Sequence, residues 1–256
     1  MNLTHTGRNA LITGASRLIG IGAATARVLA ASGANIVFTH WSQYDREQYG
    51  TASGEPELLL AELRELGVEA AAIEVDLSAP DCATTVFDAA ESTVGKIDIL
   101  INNAAHSTRE NVNTLTVESL DRHYFVNARA SAMLTVEFAR RFRGTHGRVV
   151  SFSSGQHLGP MPGELGYIMS KGAIIAFAQS ISQDLIKQGI TINIMNPGGT
   201  DTGWMTPDFL EAARLEHPAK HVGTPEDAAR SIAWLTSEEA FWINGQILNS
   251  EGFFRG

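Results

Sequence analysis

A hydroxyl, a phenol and an amine fall in one stretch of the chain, at Ser154, Tyr167 and Lys171. The stretch starts where the apolar run Val149-Val150-Ser151-Phe152 gives out and ends inside a long apolar segment of helical length. Four glycines and two prolines lie in between, which marks a loop. Ser154 is therefore expected at a strand end, and Tyr167 and Lys171 at a helix start. Tyr167 and Lys171 are four apart, one turn along one helical face. A cation there stabilises a phenolate: tyrosine titrates near ~10, and an opposite charge within roughly 4–6 Å lowers that. Such a trio suits proton transfer to or from a substrate oxygen. A buried Ser–Tyr hydrogen bond beside a solvated lysine fits the same three residues, so the stretch alone does not decide.

The elements that must position the trio alternate strand and helix. Asn9 to Thr13 reads as a short buried strand, then Gly14-Ala15-Ser16-Arg17-Leu18-Ile19-Gly20-Ile21-Gly22, then an alanine-rich helix to about Ser32. Asn35 to Thr39 is a second strand, which completes a right-handed βαβ unit. Glycines at such a turn let backbone N–H groups approach a pyrophosphate, whose charge the helix N-terminus stabilises. Residues 43–56 are polar and read as a long surface loop. Further strands are expected at Ala70–Val75, Ile97–Ile101, Arg148–Phe152, Thr191–Met195 and Gln246–Asn249. Helices are expected at about Glu57–Leu66, Asp81–Val94, Ser119–Arg143, Tyr167–Lys187 and Pro225–Thr236. The pattern predicts one α/β domain over residues 1–256, a Rossmann-type doubly wound parallel sheet of about seven strands with helices on both faces. Its ligand crevice lies at the C-terminal strand ends, where every polar cluster falls.

The chain has 256 residues, 44% of them hydrophobic and 18% charged, which suits a folded globule. A net charge of −9 repels a nucleic-acid duplex or an anionic membrane, so neither is an expected partner. The single Cys82 forms no intrachain disulfide, and no leader segment or membrane-length apolar run is visible, so the cytoplasm is the expected location. His217 and His221 are four apart, but Pro218 disfavours a helix through them and no third ligand is near, so no metal site is expected.

At this point the chain resembles the short-chain dehydrogenase/reductase family, most closely its 3-oxoacyl-(acyl carrier protein) reductase-type members. Thr13-Gly14 with Gly20-Ile21-Gly22 is similar to the cofactor glycine motif, and Asp76-Leu77 to the adenine-contact motif. Asn102-Asn103-Ala104-Ala105 resembles the Asn-Asn-Ala-Gly motif, with Ala105 in place of the glycine. Asn127, Ser154, Tyr167 and Lys171 match the catalytic tetrad in order and spacing. Pro197-Gly198 and Thr202 match the family's Pro-Gly-x-x-x-Thr. One departure is length: five residues separate Gly14 from Gly20 where the family has three, so the loop gains about Leu18-Ile19.

The resemblance implies hydride transfer between nicotinamide and a carbonyl or alcohol, a 3-oxoacyl thioester or related ketone first and a sugar or polyol second. A dinucleotide-sensing protein without catalysis is the rival of another class; the intact Ser154, Tyr167 and Lys171 argue against it. Enoyl reductases place a tyrosine seven residues before the lysine, and that position is Glu164. By the resemblance Tyr167 protonates the substrate oxygen, Ser154 hydrogen-bonds it, Lys171 depresses the Tyr167 pKa and holds the ribose, and Asn127 anchors a water. Cofactor contacts are expected at Gly14, Ser16, Arg17, Gly20, Ile21, Gly22, Asp76, Leu77, Asn103, Ala104, Ala105, Pro197, Gly198, Thr200 and Thr202, with Tyr167 and Lys171. NADP(H) is expected over NAD(H), which stays open. Thr39-His40-Trp41-Ser42 offers no acid for a ribose 2′-OH, whereas Arg17 can pair a 2′-phosphate and His40 and Ser42 can add hydrogen bonds. Residues 201–222, with Trp204, Met205, Phe209 and Leu210, suggest a substrate lid. Thr145 and Gln188 stand where carrier-protein reductases present arginines, which counts against an acyl carrier protein as partner, although Arg143 and Lys187 are neighbours. Apolar residues on several faces of the Tyr167 helix imply an oligomer, by resemblance a homotetramer.

Overall fold

The computed structural model of the protein describes residues 4–50 and 54–253. Seven parallel strands form one sheet in the order β3-β2-β1-β4-β5-β6-β7. They are β1 Asn9–Ile12, β2 Asn35–His40, β3 Ala70–Glu74, β4 Ile99–Asn102, β5 Gly147–Phe152, β6 Ile190–Asn196 and β7 Ile247–Asn249. Side chains alternate between the faces of a strand, and both faces here are apolar. Ile12, Phe38 and Ile101 join the core on one face. Leu11, Val37 and Leu100 join the core on the other. That double burial is why the strands read as unbroken apolar runs.

Helices α1 Ile21–Ala31, α3 Glu55–Glu65 and α9 Pro225–Thr236 cover the first face. Helices α4 Cys82–Val94, α6 Ser131–Arg141 and α7 Leu165–Leu185 cover the second. Between β2 and α3 the expected long loop is corrected: α2 spans Ser42–Tyr49 and ends on Gly50 in the left-handed conformation, φ 66°. Helix α3 then starts two residues before the predicted start, with Pro56 in its first turn, where a missing N–H costs nothing. Gly54 caps it; Ser53 lies outside the described residues.

The helix expected from Ser119 starts as α5 Val117–His123, with the Thr116 hydroxyl accepting from the Ser119 amide. It passes through a π-helical stretch, Tyr124–Ala130, before resuming as α6. Such wide turns occur where a side chain must be re-aimed, and Asn127 lies within this one. Helix α8, Pro207–Glu216, follows β6 and buries none of its residues. β1 is hydrogen-bonded to β2 on one side and β4 on the other, so the connection order reverses there. The C-terminal ends flanking this reversal form the crevice that such sheets offer a ligand.

Candidate active site

The crevice is a cavity of about 860 Å³. Gly14, Ser16, Arg17, Gly20 and Ile21 wall one end, with His40, Asp76 and Leu77. Asn103 and Ala104 abut that glycine loop, and Ala105, Ser154, Tyr167, Pro197, Gly198, Thr200 and Thr202 complete the wall. Four predicted site residues lie behind the wall: Gly22, Ser42, Asn127 and Lys171 are not among those that line it.

The glycine loop is clamped to the end of β4. Asn103 donates through Nδ2 to the carbonyls of Thr13 and Gly14, both at 2.8 Å. The Thr13 hydroxyl accepts from the amides of Asn103 and Ala104 at 3.0 and 3.1 Å. A side chain at Gly14 (φ 71°) would put its Cβ 2.6 Å from the Ala104 Cα, so only glycine permits this approach. Gly22 serves the same contact from the helix: a Cβ there would meet the Gly14 carbonyl at 2.7 Å. Its expected cofactor role is thus a packing role.

Helix α1 opens on this cradle with no side-chain cap and no acidic residue in its first turn. Its first amides and dipole are left to face an anion, which fits the pyrophosphate of a dinucleotide. Of the two extra residues, Leu18 packs against the first core and Ile19 turns outward. The Leu18 amide donates to the Glu55 carboxylate at 2.7 Å and its carbonyl accepts from Arg27 at 2.8 Å, while Ile19 is 53% exposed. Arg17 and Gly20 therefore keep their places on the cavity wall.

Sequence reasoning missed α2 as part of the wall. Tyr44, Asp45, Gln48 and Tyr49 line the cavity. Their spacing, two adjacent pairs one turn apart, is a helical face and was the available signal. The Arg17 guanidinium stacks 3.9 Å from the centre of the Tyr49 ring. Asp45 is buried; burial raises its carboxyl pKa, against the pull of Ser16 and Arg17. Ser42 faces away, its hydroxyl 3.3 Å from His40 Nδ1. Asp76 folds back on Ser78, accepting from its amide and hydroxyl at 2.8 Å each, and Leu77 is buried against the second core.

At the other end Ser154 follows β5 and Tyr167 lies in the first turn of α7, as expected. The Ser154 hydroxyl stands close enough to the Tyr167 phenol to pull its pKa down, and it donates to Met161 Sδ at 3.9 Å. The expected depression of the Tyr167 pKa is reversed. Burial pushes the phenol up to about 12, the Ser154 hydroxyl pulling the other way and Glu164 adding to the rise. Lys171 does not offset this, because its ammonium is itself buried and turned to the Phe152 carbonyl, to which Nζ donates at 2.9 Å. Burial lowers Lys171 to about 8. Near neutral pH the site thus holds a protonated phenol, the form an acid catalyst needs.

The water anchorage expected of Asn127 meets an amide already engaged. Oδ1 accepts the His106 amide at 2.7 Å, and Nδ2 donates to the His106 carbonyl and the Ser170 hydroxyl, both at 2.9 Å. The π-helical stretch points Asn127 at the loop after β4 and fixes that loop to α7. The Thr200 hydroxyl donates to the Pro197 carbonyl at 3.0 Å, and the Trp204 indole donates to the Thr200 carbonyl at 2.9 Å, which holds Trp204 at the cavity edge. His217 and His221 part company: the first meets the Glu251 carbonyl, the second the Asp227 carboxylate.

A family model described as enoyl-(acyl carrier protein) reductase matches residues 14–252. An uncharacterized oxidoreductase, YjdA of Bacillus subtilis (strain 168), is 47% identical over 251 residues, 96% of this chain and 97% of that protein. A short-chain dehydrogenase from Burkholderia cenocepacia J2315, solved in complex with NADP, has a TM-score of 0.86 at 34% identity over 96% of this chain and 97% of that one. The landomycin C-6 ketoreductase LanV, solved with NADP and rabelomycin, has a TM-score of 0.84 at 29% identity, covering 96% of each chain. The chain belongs to the short-chain dehydrogenase/reductase family and is an oxidoreductase of carbonyl and alcohol groups.

Proposed function

We propose that the protein is an NADP(H)-dependent ketone reductase in which Tyr167 is the proton donor and Ser154 the second hydrogen-bond donor to the substrate oxygen. The observation that carries this is that Ser154 and Tyr167 stand together on the wall of the same cavity as the open end of α1. NADPH supplies the hydride. Tyr167, protonated at neutral pH, gives its proton to the oxygen that becomes a hydroxyl, while the Ser154 hydroxyl orients that oxygen. Lys171, tied to β5 through Phe152, holds the cofactor ribose beside them.

Glu164 in place of a tyrosine favours carbonyl over enoyl reduction, whatever the description of the matching family model. Leu158, Pro160, Met161 and Trp204 surround the Ser154 end, which favours an apolar ketone over a sugar. The LanV structure, a ketoreductase with bound NADP and rabelomycin, supports a ketone as the substrate class. A 3-oxoacyl thioester is the other carbonyl class to test.

The NADP(H) preference rests on Arg17, whose stacked guanidinium keeps its N–H edges free for phosphate, and on the NADP-bound relatives. Residues 201–222 serve as the substrate lid of a single domain, with exposed Trp204 and Phe209 packed ring against ring at 5.5 Å. Exposed Tyr124, Met133 and Met169 on neighbouring helices favour a homotetramer. Among the described residues no helix is long and apolar enough to cross a membrane, and we place the enzyme in the cytoplasm. NADPH oxidation followed at 340 nm against a panel of apolar ketones and 3-oxoacyl thioesters tests the proposal. Turnover of a ketone supports it; inertness towards every carbonyl, with tight NADPH binding, would favour a sensing role.

A further inference from the structure

A row of rings, Tyr44 and His106 on the cavity wall and His123 behind it, ends on Tyr167. Tyr44 meets His106 with centroids 5.6 Å apart, His106 meets His123 at 4.8 Å, and His123 meets Tyr167 at 6.4 Å with planes at 73°. His123 is fully buried. Its Nδ1 lies 2.8 Å from the Ser119 carbonyl, which can only accept, so Nδ1 carries the proton. Its Nε2 takes the Thr108 amide at 3.2 Å, so Nε2 is the acceptor. Both nitrogens are spent on backbone, one in α5 and one in the loop after β4. The ring has no proton to trade with a substrate. It has a fixed place.

That place abuts the start of α7. A Cβ on Gly166 would stand 2.8 Å from His123 Nδ1 and 3.2 Å from Cε1, so the ring fills the space a side chain at 166 would need. The loop that binds Nε2 is itself anchored. Glu110 accepts from the hydroxyls of Thr108 and Ser119, and its carbonyl accepts the Leu165 amide at 3.3 Å. His123 is thus clamped between α5 and the loop, with its edge against the residue pair Gly166-Tyr167.

We propose that His123 is a positioning residue for Tyr167: its clamped ring is the wall that holds the phenol in line with Ser154. This rests on Tyr167 being the proton donor. A proton donor works only when held within a fraction of an ångström of its line, and a misplacement of about 1 Å can cost ~10²-fold. Without the ring, Tyr167 can fall back into the space that His123 leaves.

Four variants test this by steady-state kinetics with NADPH and the best ketone of the panel, alongside thermal melting. His123→Ala is expected to lower kcat about 10- to 100-fold, with KM for NADPH within about twofold. His123→Phe keeps a ring but strands the Thr108 amide and the Ser119 carbonyl. It is expected to melt lower yet keep kcat within about threefold of wild type. Gly166→Ala is expected to lower kcat in the wild-type background, by pushing the ring, and to add nothing in the His123→Ala background. The alkaline limb of the His123→Ala kcat profile is expected to move to lower pH, because a wetter phenol ionises more readily.

A His123→Ala kcat within twofold of wild type would overturn the proposal. So would a His123→Phe loss as large as that of His123→Ala, or a Gly166→Ala loss undiminished in the double variant. If His123→Ala does not fold, the His123→Phe and Gly166→Ala measurements decide. A Tyr167→Phe variant that still turns over sinks the reading of Tyr167 itself; an inactive Tyr167→Phe with a normal His123→Ala sinks this inference alone.

Discussion

The ammonium nitrogen of Lys171 donates a hydrogen bond to the carbonyl oxygen of Phe152 at 2.9 Å. One contact ties helix α7 to the last residue of β5, two positions before Ser154. It also places a charge in the wall behind the cavity, where burial lowers its pKa to about 8. Lys171→Ala is expected to lower kcat at least ~10-fold and to raise the Kd for NADPH several-fold. It should also lower the melting temperature, because the Phe152 carbonyl loses a donor in a buried place, at a cost of about 1–3 kcal/mol. Titration calorimetry and thermal melting check the last two. An unchanged Kd would remove Lys171 from the cofactor site.

On the proposed function, cofactor choice is a contest between two residues of the same cavity wall: Arg17 would attract a 2′-phosphate and a charged Asp45 would repel it. Asp45→Asn is expected to raise the kcat/KM ratio of NADPH over NADH about 10-fold, and Arg17→Ala to lower it by a similar factor. Ratios that move together, or not at all, would place the 2′-position elsewhere.

Acid stability should be set by two buried neutral histidines. His5 and His106 are both lowered from the usual 6.5 to about 4, chiefly by burial. Unfolded, each takes up a proton near pH 6.5; folded, not until about pH 4. The unfolded state therefore binds more protons in that window, and stability falls as pH drops through it. Urea midpoints measured from pH 7 to pH 4 should decline, and His106→Asn should flatten the slope. A flat midpoint in the parent protein would show that these histidines are hydrated.

The five central strands were legible because they are buried on both faces, so apolar runs such as Ile99-Leu100-Ile101 have no other home. The placing of Ser154 after a strand and of Tyr167 at a helix start, both on the cavity wall, was legible from order and spacing. Helix α2 was not. Its residues, Ser42 to Tyr49, are polar, and the face it buries turns to the ligand cavity and not to a core. The π-helical stretch has no marker residue, so the engagement of Asn127 with His106 could not be read. The direction of the Tyr167 shift was out of reach for another reason. Spacing puts Lys171 one turn away, but whether charge or burial wins depends on where Nζ points, and it points at Phe152.

Ser154→Ala removes the hydroxyl that lowers the Tyr167 pKa and, by the proposal, one donor to the substrate oxygen. A drop in kcat of about 10²-fold is expected, with the Kd for NADPH unchanged. Because that hydroxyl also restrains the rise of the Tyr167 pKa, its loss should drive the phenol higher still. Stopped-flow hydride transfer separates the chemical step from product release. A normal chemical step in Ser154→Ala would leave Tyr167 as the only donor.

The central claim is that the Tyr167 phenol delivers the proton. Tyr167→Phe keeps the ring against His123 and removes only the hydroxyl. The most direct measurement is the kcat of this variant for NADPH-driven ketone reduction, with the Kd for NADPH measured on the same preparation. General acids contribute ~10²–10⁴-fold, so kcat should fall by at least ~10²-fold while Kd stays within about twofold. A variant that binds NADPH normally and retains more than about a tenth of the wild-type kcat would contradict the account.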